Sequence, residues 1–197
     1  MTHIPAQGTD TFDFSYFPRL ETTRLILREI GLQDMGALAA LLTDPEVTRY
    51  LDVDVLSFTG DVLAFHQALF ERREGLRWAI TLRGDEDTLI GTCGYSCWDR
   101  RIRCAEIGCD LTRSFWGQGI ITEAVAASIR FGFERMCLNR IEADTRVGND
   151  AAARVLRKLG FHEEGILRQK GFWQGTFHDL RFFSLLYSEW SAIMNVR

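Results

Sequence analysis

The sequence predicts a mixed α/β domain, and three observations carry that prediction. Three strand-like runs lie between Arg77 and Thr112, separated only by short polar turns, the pattern of an antiparallel meander. A tight Gly117-Gln-Gly119 turn then opens a long amphipathic helix, and a further strand-like run, Arg140 to Val147, follows it. Two strands joined through such a helix run parallel, so the sheet is mixed.

Taken in order, residues 1–19 are polar and aromatic without periodicity and read as an extended arm, leaving 20–197 as one domain. Arg24-Leu-Ile-Leu-Arg-Glu-Ile30 is a β-like run. Gln33 to Thr43 carries apolar residues at 35, 38, 39, 41 and 42, a helical stripe closed by Asp44-Pro45. A short helix is expected to reach Tyr50, and Asp61 to Glu74 repeats the helical pattern at 62, 63, 69 and 70. The meander follows as Arg77 to Leu82, Leu89 to Trp98 and Arg103 to Thr112. Beyond the glycine turn, Ile121, Ala124, Val125, Ile129, Phe133 and Met136 fall near one helix face. Gly148-Asn149-Asp150 opens the next helix, with Asn149 as its N-cap and Gly160 as a left-handed stop. Residues 161–169 and 178–187 read as closing strands, joined by the aromatic loop Phe172-Trp-Gln-Gly175-Thr-Phe177.

Composition narrows the class. At 197 residues, with 46% hydrophobic and 25% charged, the chain has the makings of one soluble domain with a substantial core. A net charge of −4 argues against nucleic acid or an anionic membrane as the main partner. No apolar run approaches the roughly 20 residues a spanning helix needs. The opening Met-Thr-His-Ile-Pro-Ala-Gln-Gly lacks the pattern of a secretory leader, so a cytoplasmic protein is expected. Cys93, Cys97, Cys104, Cys109 and Cys137 show no Cys-x-x-Cys spacing, and read as small apolar residues rather than a metal set.

The glycine turn is the chief functional signal. Side-chain-free amides at a helix start make an anion site, to which the helix dipole adds positive charge. The bland alternative is that Gly117 and Gly119 merely permit a sharp turn. A P-loop is ruled out because no Gly-x-x-x-x-Gly-Lys-Ser/Thr occurs. A dinucleotide fold fits poorly, since Thr122 stands at the third glycine position and an antiparallel meander precedes the turn.

A third pattern fits. It comprises Glu21-Thr-x-Arg24-Leu-x-Leu-Arg28, Thr43-Asp-Pro45-Glu-Val, Ile90-Gly-Thr-Cys-Gly94, Ala105-Glu-Ile-Gly108 and Trp116-Gly-Gln-Gly119. It continues through Leu138-Asn-Arg-Ile-Glu142, Gly148-Asn149, Leu159-Gly-Phe161, Glu164-Gly165 with Leu167-Arg168, and Gly175-x-Phe177-His-Asp179. Each piece is weak alone, whereas their order and spacing are specific. On these motifs the chain resembles the GNAT superfamily of N-acetyltransferases, and within it the RimJ- and RimL-like ribosomal-protein acetyltransferases, from about Glu21 to Trp190.

The resemblance implies a mostly antiparallel twisted sheet with one splayed parallel pair, helices on both faces, and acetyl-CoA as cofactor. It places the cofactor's arm along the free edge at Asp110, Leu111 and Thr112. The diphosphate falls on Trp116, Gly117, Gln118, Gly119, Ile120, Ile121 and Thr122, with Asn149 facing the arm. Arg154 and Lys158 are candidates for the nucleotide end, or else a solvated helix face. Family analogy also allows a homodimer.

Acetyl transfer needs a neutral amine, a donor for the developing negative charge and a proton route. A backbone N–H between Cys109 and Leu111 can serve as the donor. Glu106 is the candidate base and Asp110 the second choice; the bland reading of Glu106 is an ion-paired surface carboxylate. The family's proton-donor positions are Ala152, Leu156 and Phe177 here, and Arg113 replaces a glutamate, which leaves Tyr95, Ser96 or water. At pH 7 an α-amine with pKa near 8 is about one-tenth neutral, against roughly 0.04% for a lysine. A site without a strong base therefore suits an α-amine, pointing to a protein N-terminus. A small amine such as an amino acid, polyamine or antibiotic, or a non-catalytic acyl-CoA sensor, are the alternatives. Phe172, Trp173, Phe177, His178 and Asp179 either line the acceptor side or form a packed hairpin.

Overall fold

The strand-like runs of the sequence join one eight-stranded sheet in the computed structural model, which describes residues 12–50, 59–173 and 175–195. In chain order the strands are β1 (Leu20–Glu21), β2 (Leu25–Glu29), β3 (Leu76–Leu82), β4 (Gly91–Asp99), β5 (Cys104–Leu111), β6 (Arg140–Arg146), β7 (His162–Trp173) and β8 (Thr176–Leu186). The helices are α1 (Met35–Thr43), α2 (Pro45–Thr48), α3 (Thr59–Glu71), α4 (Ile120–Glu134), α5 (Asp150–Lys158) and α6 (Tyr187–Asn195). The sheet order is β1-β2-β3-β4-β5-β6-β8-β7, and β5 with β6 is its parallel pair. The fold is therefore mixed α/β, with a mostly antiparallel sheet.

Alternation along the strands separates two faces. Leu25, Leu27, Leu76, Trp78, Ile80, Cys93, Tyr95, Ala105, Ile107 and Ile141 are all buried in the cluster that includes α4's Ala124, Val125, Ile129 and Phe133. Each large side chain withdrawn from water there contributes about 1.5–3 kcal/mol. The opposite face holds a smaller cluster, in which Leu38, Leu41, Val47 and Leu63 of α1–α3 pack with Ala79 and Leu89. That cluster does not extend to β5 or β6, where the same face presents Glu106, Asp110, Glu142 and Asp144.

Three expectations are revised. The stretch read as an arm contributes to the core from Phe12 onward: Phe12 meets Phe131 edge-on at 5.2 Å, and Phe14 stacks on Trp98 at 5.6 Å. The Pro18 carbonyl accepts from Trp78 Nε1 at 2.7 Å, pinning the segment before β1; residues 1–11 lie outside the described part. The last hairpin is longer than expected, with strands reaching Trp173 and restarting at Thr176. Register shifts between Glu163 and Gly165 and between Leu167 and Gly171 break the two-residue alternation, which hides the strand in the sequence. The chain also turns helical at Tyr187 rather than ending in a strand, because Tyr187 and Trp190 pack on Phe133 at 5.8 and 5.1 Å.

Candidate functional site

The parallel pair comes apart almost as soon as it forms. Cys104 pairs with Arg140, Ala105 with Ile141 and Glu106 with Glu142, and the pairing ends there although both strands continue. On β5's other side, pairing with β4 runs on to Leu111. The Thr112 N–H donates to the Ile90 carbonyl at 2.8 Å, so by alternation the even-numbered residues of β5 turn their backbone groups to β4. The Ile107 N–H closes the last parallel register on Glu142, and beyond it Cys109 and Leu111 therefore present theirs to the gap. This corrects the expected free edge: Thr112 and Asp110 are engaged with β4, and of the three expected residues only Leu111 faces the opening. The Leu111 carbonyl accepts from the Trp116 indole at 2.8 Å, so Trp116 braces the strand end.

Directly beyond β5 lies the glycine turn. Gly117 and Gly119 have φ of 74° and 75°, in the left-handed region that disfavours a Cβ. Gly119 is the N-cap of α4 and offers no side chain, so the first amides of the helix are left without intrahelical partners. A Cβ on Gly117 meets nothing within 4 Å, and one on Gly119 meets only Arg24 Nη2 at 3.5 Å. The space over the turn is thus open, and a side chain would fill it. Ile120 is buried, Ile121 and Thr122 are half-buried, and Gln118 is exposed.

Two residues at this turn escaped the sequence reading. Glu123, in the first turn of α4, accepts from Thr22 Oγ1 at 2.6 Å, from Arg24 N at 2.9 Å and from Arg24 Nε at 2.6 Å. Arg24 Nη1 in turn donates to the Gln118 carbonyl at 2.9 Å. The β1–β2 connection is thereby tied to the glycine turn, and a guanidinium is held beside it. The available signal was the Arg24-Leu-x-Leu-Arg28 motif together with an acidic residue in a helix's first turn.

On the open face of the fork, Glu106 is half-buried and its carboxylate makes no hydrogen bond to a described residue. Burial pushes its carboxyl above the usual range; Asp144 and Glu142 push the same way, while Lys170 opposes them. Glu142 is held by Arg140 at 2.6 Å, and Arg140 also reaches Glu164 at 3.1 Å. Ser96 pairs across β4 with Glu106, placing a hydroxyl-bearing residue beside it. Tyr95 points to the other face, where its fully buried hydroxyl donates to the Ser128 carbonyl at 2.8 Å.

Asp110 is engaged. It pairs with the Arg77 guanidinium and accepts from Thr92 Oγ1 at 3.0 Å. Arg77 starts on β3 opposite Gly94, which is itself opposite Gly108 on β5. A Cβ at Gly108 would come within 3.3 Å of Arg77 Nη1, so the guanidinium lies over a bare stretch of sheet on its way to Asp110.

Past β6, Asn149 caps α5 by accepting from the Ala152 N–H at 3.2 Å. Arg154 and Lys158 are exposed one turn apart on that helix. Leu156 is buried in the main core, so its position carries packing instead of a hydroxyl. Phe172 and Phe177 face each other across the last hairpin at 4.7 Å, exposed by 56% and 59%. Asp179 accepts from the Gln169 N–H at 2.8 Å.

A bare helix start carrying free amides, next to an unpaired strand edge, suits a ligand with a diphosphate and an amide-bearing arm. The acetyltransferase (GNAT) domain model matches residues 24–162, and the chain belongs to that family. The uncharacterized N-acetyltransferase YoaA of Bacillus subtilis (strain 168) is 37% identical over 173 residues, covering 86% of this chain and 97% of that protein. The ribosomal-protein-serine acetyltransferase of Escherichia coli (strain K12) is 33% identical over 99 residues, 50% of this chain and 55% of that protein. Mycobacterium smegmatis RimJ in complex with CoA-disulfide shares the fold, with a TM-score of 0.77 over 88% of each chain at 22% identity. The protein is an acyl-CoA-dependent N-acetyltransferase of the GNAT family, acting on amines with acetyl-CoA as cofactor.

Proposed function

We propose that this enzyme acetylates a protein or peptide N-terminal α-amine, using the fork between β5 and β6 as its site. The observation that carries the reading is Glu106: a half-buried carboxylate without a described hydrogen-bond partner, at the last paired register before the strands part. A carboxyl raised above its ordinary value is better matched to an amine near neutral pH than an ordinary glutamate. It still falls short of the strong base that a lysine side chain requires, so the α-amine is the favoured acceptor. The match to a ribosomal-protein-serine acetyltransferase supports a protein as the acceptor.

In this reading Gly117, Gly119 and the amides of Ile120, Ile121 and Thr122 hold the diphosphate. Trp116 and Gln118 shape the turn, and Arg24 adds a cation beside it. Cys109 and Leu111 offer backbone groups to the arm, while Asn149 fixes the start of α5 at its far side. When bound, acetyl-CoA supplies an acyl group activated for attack by an amine. Glu106 would accept the proton that the attacking amine gives up and pass it to solvent, the C–S bond would break as the C–N bond forms with the departing thiolate taking a proton from water, and the Cys109 N–H would steady the carbonyl oxygen. Asp110 is a positioning residue, since its carboxylate is committed to Arg77 and Thr92.

A second reading is favoured by the carboxylates themselves. Glu106, Glu142 and Asp144 line the uncovered face, and a small polycationic amine would be drawn to them. Steady-state assays with acetyl-CoA, a panel of free N-terminal peptides and a panel of small amines separate the two. Peptide acetylation mapped to the α-amine by mass spectrometry is expected; turnover confined to small amines overturns the N-terminal assignment.

A further inference from the structure

Thr145 lies on β6 with only 6% of its surface exposed, and its Oγ1 is buried without a hydrogen-bond partner. An unpaired buried hydroxyl is costly to the fold and calls for an explanation. Its location supplies one. The parallel register advances one residue for one residue from Cys104 and Arg140 to Glu106 and Glu142. Counting on along both strands puts Thr145 level with Cys109, on the stretch where β5 and β6 have parted. Thr145 alternates with Ile141 and Ala143, both buried in the main core, so it stands on the same face as Ile107 and Cys109. On its other flank β8 sets Arg181 opposite, but that guanidinium is turned to Asp150 at 2.9 Å.

We propose that the Thr145 hydroxyl positions the coenzyme A arm by hydrogen-bonding one of its amide groups as it lies between β5 and β6. This rests on the fork being the cofactor site, as proposed above. The level decides which part of the ligand is met. With a strand rise of about 3.3 Å per residue, Cys109 lies roughly 7 Å from Leu111, at the diphosphate end, and roughly 7 Å from Ile107, at the reacting end. The middle of the arm carries the amides, and a hydroxyl can donate to their carbonyl or accept from their N–H. Ala152 on α5 has no polar side chain to share the task, and Leu156 has none either. Thr145 is thus a positioning residue whose cost in the empty protein is recovered on binding.

The test uses the full chain and two near-isosteric variants, Thr145→Val and Thr145→Ser, with two probes: coenzyme A and its nucleotide half lacking the arm. Calorimetric titration should show coenzyme A affinity falling about tenfold in Thr145→Val, as expected for one hydrogen bond and a stranded amide, and holding within about threefold in Thr145→Ser. The nucleotide half should bind wild type and Thr145→Val alike. Without ligand, Thr145→Val should melt at the same temperature as wild type or higher, because it removes an unsatisfied group. Unchanged coenzyme A affinity in Thr145→Val overturns the proposal while leaving the fork as the cofactor site. A loss that extends equally to the nucleotide half also overturns it, since that marks a general distortion. Wild-type protein that binds neither probe removes the site reading and this proposal with it.

Discussion

Glu106 and Glu142 stand side by side in the last parallel register of the sheet, immediately before β5 and β6 separate. Arg140 holds Glu142 at 2.6 Å, whereas the Glu106 carboxylate makes no hydrogen bond to a described residue and has Lys170 as its opposing charge. Burial raises the Glu106 carboxyl, and the neighbouring Asp144 and Glu142 carboxylates push it the same way. The fork therefore sets one ion-paired carboxylate beside one raised carboxyl at the place where an amine would arrive. Replacing Glu106 with Gln should lower kcat/KM by about 100-fold or more while leaving coenzyme A affinity intact. Steady-state kinetics beside a calorimetric titration checks both halves.

The pH dependence follows from the same pair. Glu106 must be ionised to accept a proton, so activity is lost as pH falls through its raised value. Removing a neighbouring negative charge makes ionisation easier and lowers that value. The acidic limb of the kcat/KM profile should accordingly move to lower pH in Glu142→Gln and Asp144→Asn. A limb that stays in place in both variants assigns it to another group.

Asp110 is predicted to matter to stability instead. Its pairing with Arg77 leaves the two side chains 10% and 18% exposed, and breaking such a pair strands a charge. Asp110→Ala should cost about 3 kcal/mol in denaturant unfolding. Asp110→Asn, assayed where it remains folded, should keep far more activity than Glu106→Gln. Equal losses in the two would return Asp110 to contention as the base.

The Arg24–Glu123 tie should report on the glycine turn. Glu123→Ala removes the acceptor of three hydrogen bonds, one of them from a guanidinium side chain 46% exposed and hence partly screened. A loss of about 1–2 kcal/mol in stability is expected. Coenzyme A should bind more weakly, with the change largest in its nucleotide half; titration of that half alone measures it.

Much of this arrangement is readable from the chain, for identifiable reasons. The meander, the α4 stripe and the single parallel crossing follow from periodicity and from the one place where two glycines open a helix. Asn149 and Gly160 mark the ends of α5 because capping chemistry is local. What escaped is long-range. Phe12 and Phe14 read as arm residues because nothing local says that Phe131 and Trp98 lie beside them. The attachment of Arg24 to Glu123 spans 99 residues, and the commitment of Asp110 to Arg77 spans 33. The two carboxylates with the right strand parity, Glu106 and Asp110, were distinguishable only once their partners were in view. Thr145 carries no motif at all, and its interest comes from having no partner in a buried place.

The most direct measurement is a titration of coenzyme A into wild type and into Gly119→Val. At φ near 75° a side chain costs about 1–2 kcal/mol in the backbone. Its Cβ would stand in open space over the helix start, meeting only Arg24 at 3.5 Å. The variant should therefore remain folded by circular dichroism while its coenzyme A affinity falls by more than tenfold. A folded Gly119→Val that binds coenzyme A as tightly as wild type would show that the turn does not hold the diphosphate, and would contradict the account at its centre.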